Sequence, residues 1–222
     1  MSDAKPRILF LYYTYTKQTQ ILVDAMSEVF RERGCDVEPA LLEFTDPRYA
    51  EQFSTFPMPH PFRELFRMIV PVARDVTGEI RVPDVVSQGE YDLVCIGSPT
   101  WWLSTNVPIR SFLESDAAAP LLKDRPFAAF VACRRYWGHN LRTVKKLGGK
   151  AGGEYVDGTH FSYLGGQIRS LLSLISYLGS GEYRDRYMGV KIPPTNLQAE
   201  HLQAAREFAG RLADTVTKES AA

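Results

Sequence analysis

Short unbroken apolar runs alternate along this chain with stretches whose apolar residues recur every three or four positions. That alternation leaves few folds open. "RILFLYYT" (7–14), "YDLVCIGS" (91–98) and "PFAAFVAC" (126–133) have the continuous apolar character of strands buried on both faces, as in a parallel sheet. "CDVEPALLE" (35–43) reads as another strand and "GGEYVDG" (152–158) as a weaker last one. Between them, Ile21, Leu22, Ala25, Met26, Val29 and Phe30 form one helical stripe that Gly34 stops. "VPIRSFLES" (107–115) and "NLRTVKKLG" (140–148) predict two more helices, the second with Asn140 as N-cap. A last helix follows "PPTNLQ", where Thr195 and Gln198 have capping-box spacing. Its stripe is His201, Ala205, Phe208, Ala209, Leu212 and Val216. Strand and helix alternate five times, so the expectation is an α/β fold over 1–222, a single domain with helices on both faces of a parallel sheet.

Composition narrows the function classes. Lys+Arg and Asp+Glu are both 26, which sets aside generic nucleic-acid binding, since that needs a basic excess. Cys35, Cys95 and Cys133 have neither C-x-x-C nor zinc spacing and read as reduced thiols, Cys95 within the core. "MSDAKPR" lacks the apolar centre of a signal peptide, and no apolar stretch reaches the ~20 residues of a membrane span. The expected location is the cytoplasm.

A parallel sheet of this kind binds ligands beyond the carboxyl ends of its strands. Three loops therefore matter: "TYTKQT", "PTWWLSTN" and "RRYWGHN". The first opens onto a helix N-terminus, where free N–H groups and the dipole attract an anion. Thr14, Thr16 and Thr19 add neutral donors suited to a phosphate. It contains neither a Walker pattern nor G-x-G-x-x-G, and "GGKAGG" (148–153) ends a helix rather than starting one. The second loop sets Trp101 and Trp102 beside Pro99 and Thr100, where aromatic faces can stack on a flat ring. Tyr136 and Trp137 follow in the third. A flat, phosphorylated heteroaromatic ligand fits this combination, with FMN the obvious one.

"LYYTYTKQT", "IGSPTWWLSTNVPIRSFL" and "LQAEHLQAAREFAGRLA" resemble the flavodoxin-like superfamily, closest to its quinone-reductase and FMN-reductase branches and the tryptophan-repressor-binding-protein type. The resemblance covers nearly the whole chain. It implies a three-layer sandwich whose five-stranded parallel sheet runs in the order 2-1-3-4-5, with FMN across the strand tips. Carried over by position, Thr14, Thr16, Lys17, Gln18 and Thr19 match the phosphate loop. Pro99, Thr100, Trp101 and Trp102 match the ring-contacting loop, while Cys133, Tyr136, Trp137, Gly138 and Asn140 fall in the third flavin loop. Lys17 stands where the family often has Gly; a side chain there either crowds the loop or brings a positive charge.

Two insertions extend this pattern, one after the second strand (53–71) and one after the fifth (165–179). In the first, "FSTFPMPHPFRELFRMIVP" predicts a helix from about Pro61 to Val70. The second places Ile168, Leu171, Leu172, Ile175 and Leu178 at helical spacing. Core packing, a lid over the flavin, a homo-oligomer face and a surface meeting lipid or a lipophilic substrate all remain open for them. His160 follows the last strand and is a candidate to approach the ring.

From Arg125 to Lys150 there are seven Lys/Arg and no Asp/Glu. Arg134, Arg135 and His139 stand in the third loop, placed to meet an anion, either NADPH or an acidic quinone-like substrate. A neutral chain with this basic segment suits an FMN-dependent NAD(P)H oxidoreductase acting on a small quinone-like acceptor. The alternatives are a flavodoxin-type electron carrier, which by resemblance is strongly acidic, and a partner- or membrane-binding module that has lost its flavin.

Overall fold

The computed structural model describes residues 5–163 and 165–219. Its principal elements are β1 (Arg7–Tyr12), α1 (Gln18–Glu32), β2 (Asp36–Leu41), α2 (Ala50–Ser54), α3 (Pro61–Arg67) and α4 (Ile69–Ala73). They continue with β3 (Leu93–Trp101), α5 (Val107–Leu113), β4 (Pro126–Cys133), α6 (Trp137–Lys150), β5 (Glu154–Ser162), α7 (Gln167–Ser180) and α8 (Ala199–Glu219). The five strands pair in parallel in the order β2-β1-β3-β4-β5, as expected.

Alternation along β1 sets the layers. Ile8, Phe10 and Tyr12 pack with Leu22, Met26 and Phe30 of α1 and with Phe208 and Leu212 of α8. Leu9, Leu11 and the following Tyr13 pack on the opposite face with Ile109, Phe112 and Val144. Both faces are therefore dry along the three central strands, which is why β1, β3 and β4 read as unbroken apolar runs.

Several boundaries differ from expectation. β3 runs on to Trp101 because the chain folds back as a hairpin, pairing Thr100 with Thr105 and Trp101 with Ser104. α6 starts at Trp137 rather than Asn140, launched by Tyr136 in the left-handed region (φ 63°), and Asn140 is buried within it. The capping box of α8 does not form. Thr195 turns its hydroxyl to Ser173 at 3.2 Å, and the Gln198 N–H donates to His201 Nδ1 at 2.9 Å. Ile21 and Ile168 fall outside their predicted buried stripes and are exposed.

The insertions pack on each other above the carboxyl ends of the strands. The Met58 N–H donates to the Leu178 carbonyl at 2.7 Å, and Pro61 at the start of α3 lies against Gly179 of α7. A Cβ on Gly179 would come within 2.7 Å of the Pro61 ring, so glycine sets how closely the two helices approach.

Candidate functional site

The turn between β1 and α1 is held by Lys17, whose φ of 61° is the left-handed conformation glycine adopts most readily. Its side chain is exposed and leaves the inside of the turn open. Among the described residues, the hydroxyls of Thr14, Thr16 and Thr19 and the backbone N–H groups from Thr14 to Thr19 have no hydrogen-bond acceptor or donor partner in the protein. The first turn of α1 contains no acid. This is a cluster of unsatisfied donors at the positive end of a 15-residue helix, the arrangement that holds an anion. Gln18 is committed elsewhere: its Oε1 accepts from the Leu197 N–H at 2.8 Å and its Nε2 donates to the Tyr183 hydroxyl at 2.9 Å.

The threonine turn shares one cavity of about 150 Å³ with Pro99, Thr100, Trp101, Trp102, Cys133 and Arg134. Its remaining walls come from the insertions: Gln52, Phe53, Met58, Leu65 and Met68 on one side, Leu174 and Leu178 on the other. The insertions are thus a roof. Both tryptophans are tied to it. Trp101 stacks on Phe53, and Trp102, itself at φ 52°, donates from Nε1 to the Leu65 carbonyl at 3.0 Å.

Arg134 is the one ionised side chain among the described residues lining the cavity. It donates to the Gln167 carbonyl at 2.7 Å and to Ser170 Oγ at 2.8 Å, anchoring the start of α7, and its burial lowers the guanidinium pKa. Burial also raises the Cys133 thiol, which lies 3.3 Å from the Ser162 hydroxyl, so it is a neutral wall group and not a thiolate. The Tyr15 hydroxyl is pushed up to about 12 by burial. Gln52 is buried and donates from Nε2 to the Glu64 carbonyl, but its Oε1 has no partner.

The rest of the third loop lies outside this cavity. Trp137 lies flat on His160, ring centroids 3.9 Å apart, which occupies both rings on the β5 side. Asn140 is a crosslink: its Oδ1 accepts from Ser98 and Thr105, each at 2.9 Å, and its Nδ2 donates to the Ser98 carbonyl and Thr100 Oγ1. It ties α6 to β3 and the hairpin. Tyr136, Gly138 and His139 border a separate open groove beside Trp102, and exposed Arg135 lies over the Tyr136 ring.

No family model and no curated protein matches this sequence. Solved structures do. The chain is similar to a flavodoxin from the domain Archaea (TM-score 0.51, 10% identity, 95% of this chain and 99% of that one). It is similar to oxidised flavodoxin 1 from Bacillus cereus (TM-score 0.50, 13% identity, 94% and 97%). It also resembles a flavodiiron core from Synechocystis (TM-score 0.55, 11% identity), covering 98% of this chain but 37% of that one.

The fold is flavodoxin-like. In this flavodoxin-like chain the cavity sits at the carboxyl ends of β1, β3 and β4, where an open α/β sheet places its ligands. Sequence reasoning missed the roof residues as site residues. Their signal was the Phe- and Met-rich, proline-fenced insertion, which periodicity alone could not distinguish from core.

Proposed function

We propose that this chain is an FMN-binding oxidoreductase that takes hydride from NAD(P)H and reduces a small quinone-like acceptor. The observation that carries the reading is the turn from Thr14 to Thr19, whose unpartnered hydroxyls and N–H groups open into a covered apolar cavity. Those donors and the α1 dipole suit a terminal phosphate, and the outward course of Lys17 leaves room for it. Gln52 borders the same cavity, and its Oε1 is a buried acceptor with no partner in the protein. When bound, FMN supplies hydride acceptance and onward electron transfer. The protein's share is to fix the phosphate, exclude water with Phe53, Met58 and Leu178, and keep Arg134 as the one positive charge among the described residues lining the cavity.

The roof favours an enzyme over a carrier, because a small acceptor can enter a covered site and a protein partner cannot. The cavity is smaller than the ~300–1,000 Å³ of most ligand pockets, so a three-ring system enters only as the roof moves outward. The Phe53–Trp101 stack is the observation behind the second reading, a module that keeps the fold without flavin.

Absorbance of the purified protein and mass spectrometry of the released cofactor test the first step, and NAD(P)H oxidation with and without a quinone tests the second. Protein that is colourless and takes up no added FMN rejects the proposal.

A further inference from the structure

The outer face of the roof has its own pattern. Phe62, Phe66 and Val70 recur at i, i+4 and i+8 along α3 and α4, while Leu65, Met68 and Val72 point the other way into the protein. Phe62 is 62% exposed and Val70 54%. Ile168, on the first turn of α7, is 75% exposed, and its neighbour Gln167 borders the same groove as Ile69 and Ala73. Phe66 packs on Phe62 and on Trp102, which leaves Phe62, Val70 and Ile168 most open to solvent, and large exposed apolar groups of this kind mark a contact surface.

Positive charges outnumber negative ones around the stripe. Arg74 continues the row one turn beyond Val70, Arg63 and Arg67 flank it, and Arg169 is exposed beside Ile168. On α3 the opposing acid is Glu64, which is buried and paired with Arg63 and Arg67; Asp75, beyond α4, is held by Arg110. The chain as a whole is neutral, so this excess is local.

We infer that this face docks on an anionic lipid bilayer, with Phe62, Phe66, Val70 and Ile168 inserted among the acyl chains and the arginines on the headgroups. An amphipathic helix with large apolar residues on one side and arginines at its margins is the form that lies in a membrane interface. No helix among the described residues is long and apolar enough to cross a membrane, and lying on one does not require it. A second copy of this chain is the poorer occupant, since two-fold pairing sets the same arginines against each other. The face is the outer side of the roof over the cavity, so docking would set that cavity against the lipid.

Vesicle sedimentation tests this with the purified full chain, and its readout does not involve flavin. The protein should pellet with phosphatidylcholine vesicles containing phosphatidylglycerol, remain in solution with phosphatidylcholine alone, and release as salt rises. The variant carrying Phe62→Ser, Val70→Ser and Ile168→Ser should keep its circular dichroism and lose at least tenfold in partitioning. Arg74→Glu with Arg169→Glu should do the same through charge. Absence of binding to anionic vesicles, or binding undiminished in both variants, overturns the inference. So does a concentration-dependent dimer abolished by the same substitutions, which would assign the face to a second copy.

Discussion

Trp101 lies flat on Phe53, with ring centroids 4.7 Å apart and planes inclined by 13°. The pair joins the tip of β3 to the roof helix α2, and Tyr15 of the threonine turn meets Phe53 edge-on at 5.4 Å. One side chain from the insertion thereby touches two of the three loops expected to bind the ligand. Phe53→Ala should destabilise the flavin-free protein by about 2 kcal/mol, below the cost at a fully buried site. It should also speed FMN uptake by loosening the roof. Thermal melts and stopped-flow flavin binding check both, and an unchanged uptake rate would mean the roof does not gate entry.

Thr16→Asp places a carboxylate among the unpaired donors of the turn. Losing one hydrogen bond to a charged group costs about 1.5–3 kcal/mol and repulsion adds to it, so FMN affinity should drop at least tenfold. An acid near the start of α1 is mildly favourable, so the flavin-free melting temperature should hardly move. Fluorescence titration measures the first quantity and calorimetry the second.

The two arginines of the third loop should separate. Arg135 is exposed over the Tyr136 ring, while Arg134 anchors α7 through Gln167 and Ser170. Arg135→Ala should raise KM for NADPH several-fold more than for NADH, and the difference should shrink in high salt. Arg134→Ala should lower thermal stability and impair both nucleotides alike. Equal effects of Arg135→Ala on the two reductants would remove it from the nucleotide site.

Asp46 sits at the root of the first insertion, buried, with the Arg48 guanidinium and the Arg48 and Glu79 N–H groups holding its carboxyl down at about 2. A depressed carboxylate pKa stabilises the fold above the unfolded value of about 3.9, and that stability is lost as pH falls towards about 2. Denaturant melts should therefore show the contribution of this group intact above about pH 4 and declining below it. Asp46→Asn should flatten that part of the profile and lower stability at neutral pH.

By itself the sequence determined the layers and the threonine turn. A strand dry on both faces must be apolar at every position, and a helix beside it must show a stripe, so β1, β4, α1 and the 2-1-3-4-5 order were legible from local pattern and resemblance. Thr14, Thr16 and Thr19 were legible because a helix start needs no long-range partner to present its N–H groups. Asn140 looked like an N-cap because caps are read from neighbours in sequence. Its partners Ser98, Thr100 and Thr105 lie 35 to 42 residues away, and only folding brings them together. Trp137 and Phe53 belong to the same class, since an aromatic ring stacks on whatever the topology sets beside it. Tertiary structure alone decided that the insertions meet each other over the strand tips: an apolar helix face states that it needs a partner, never which one.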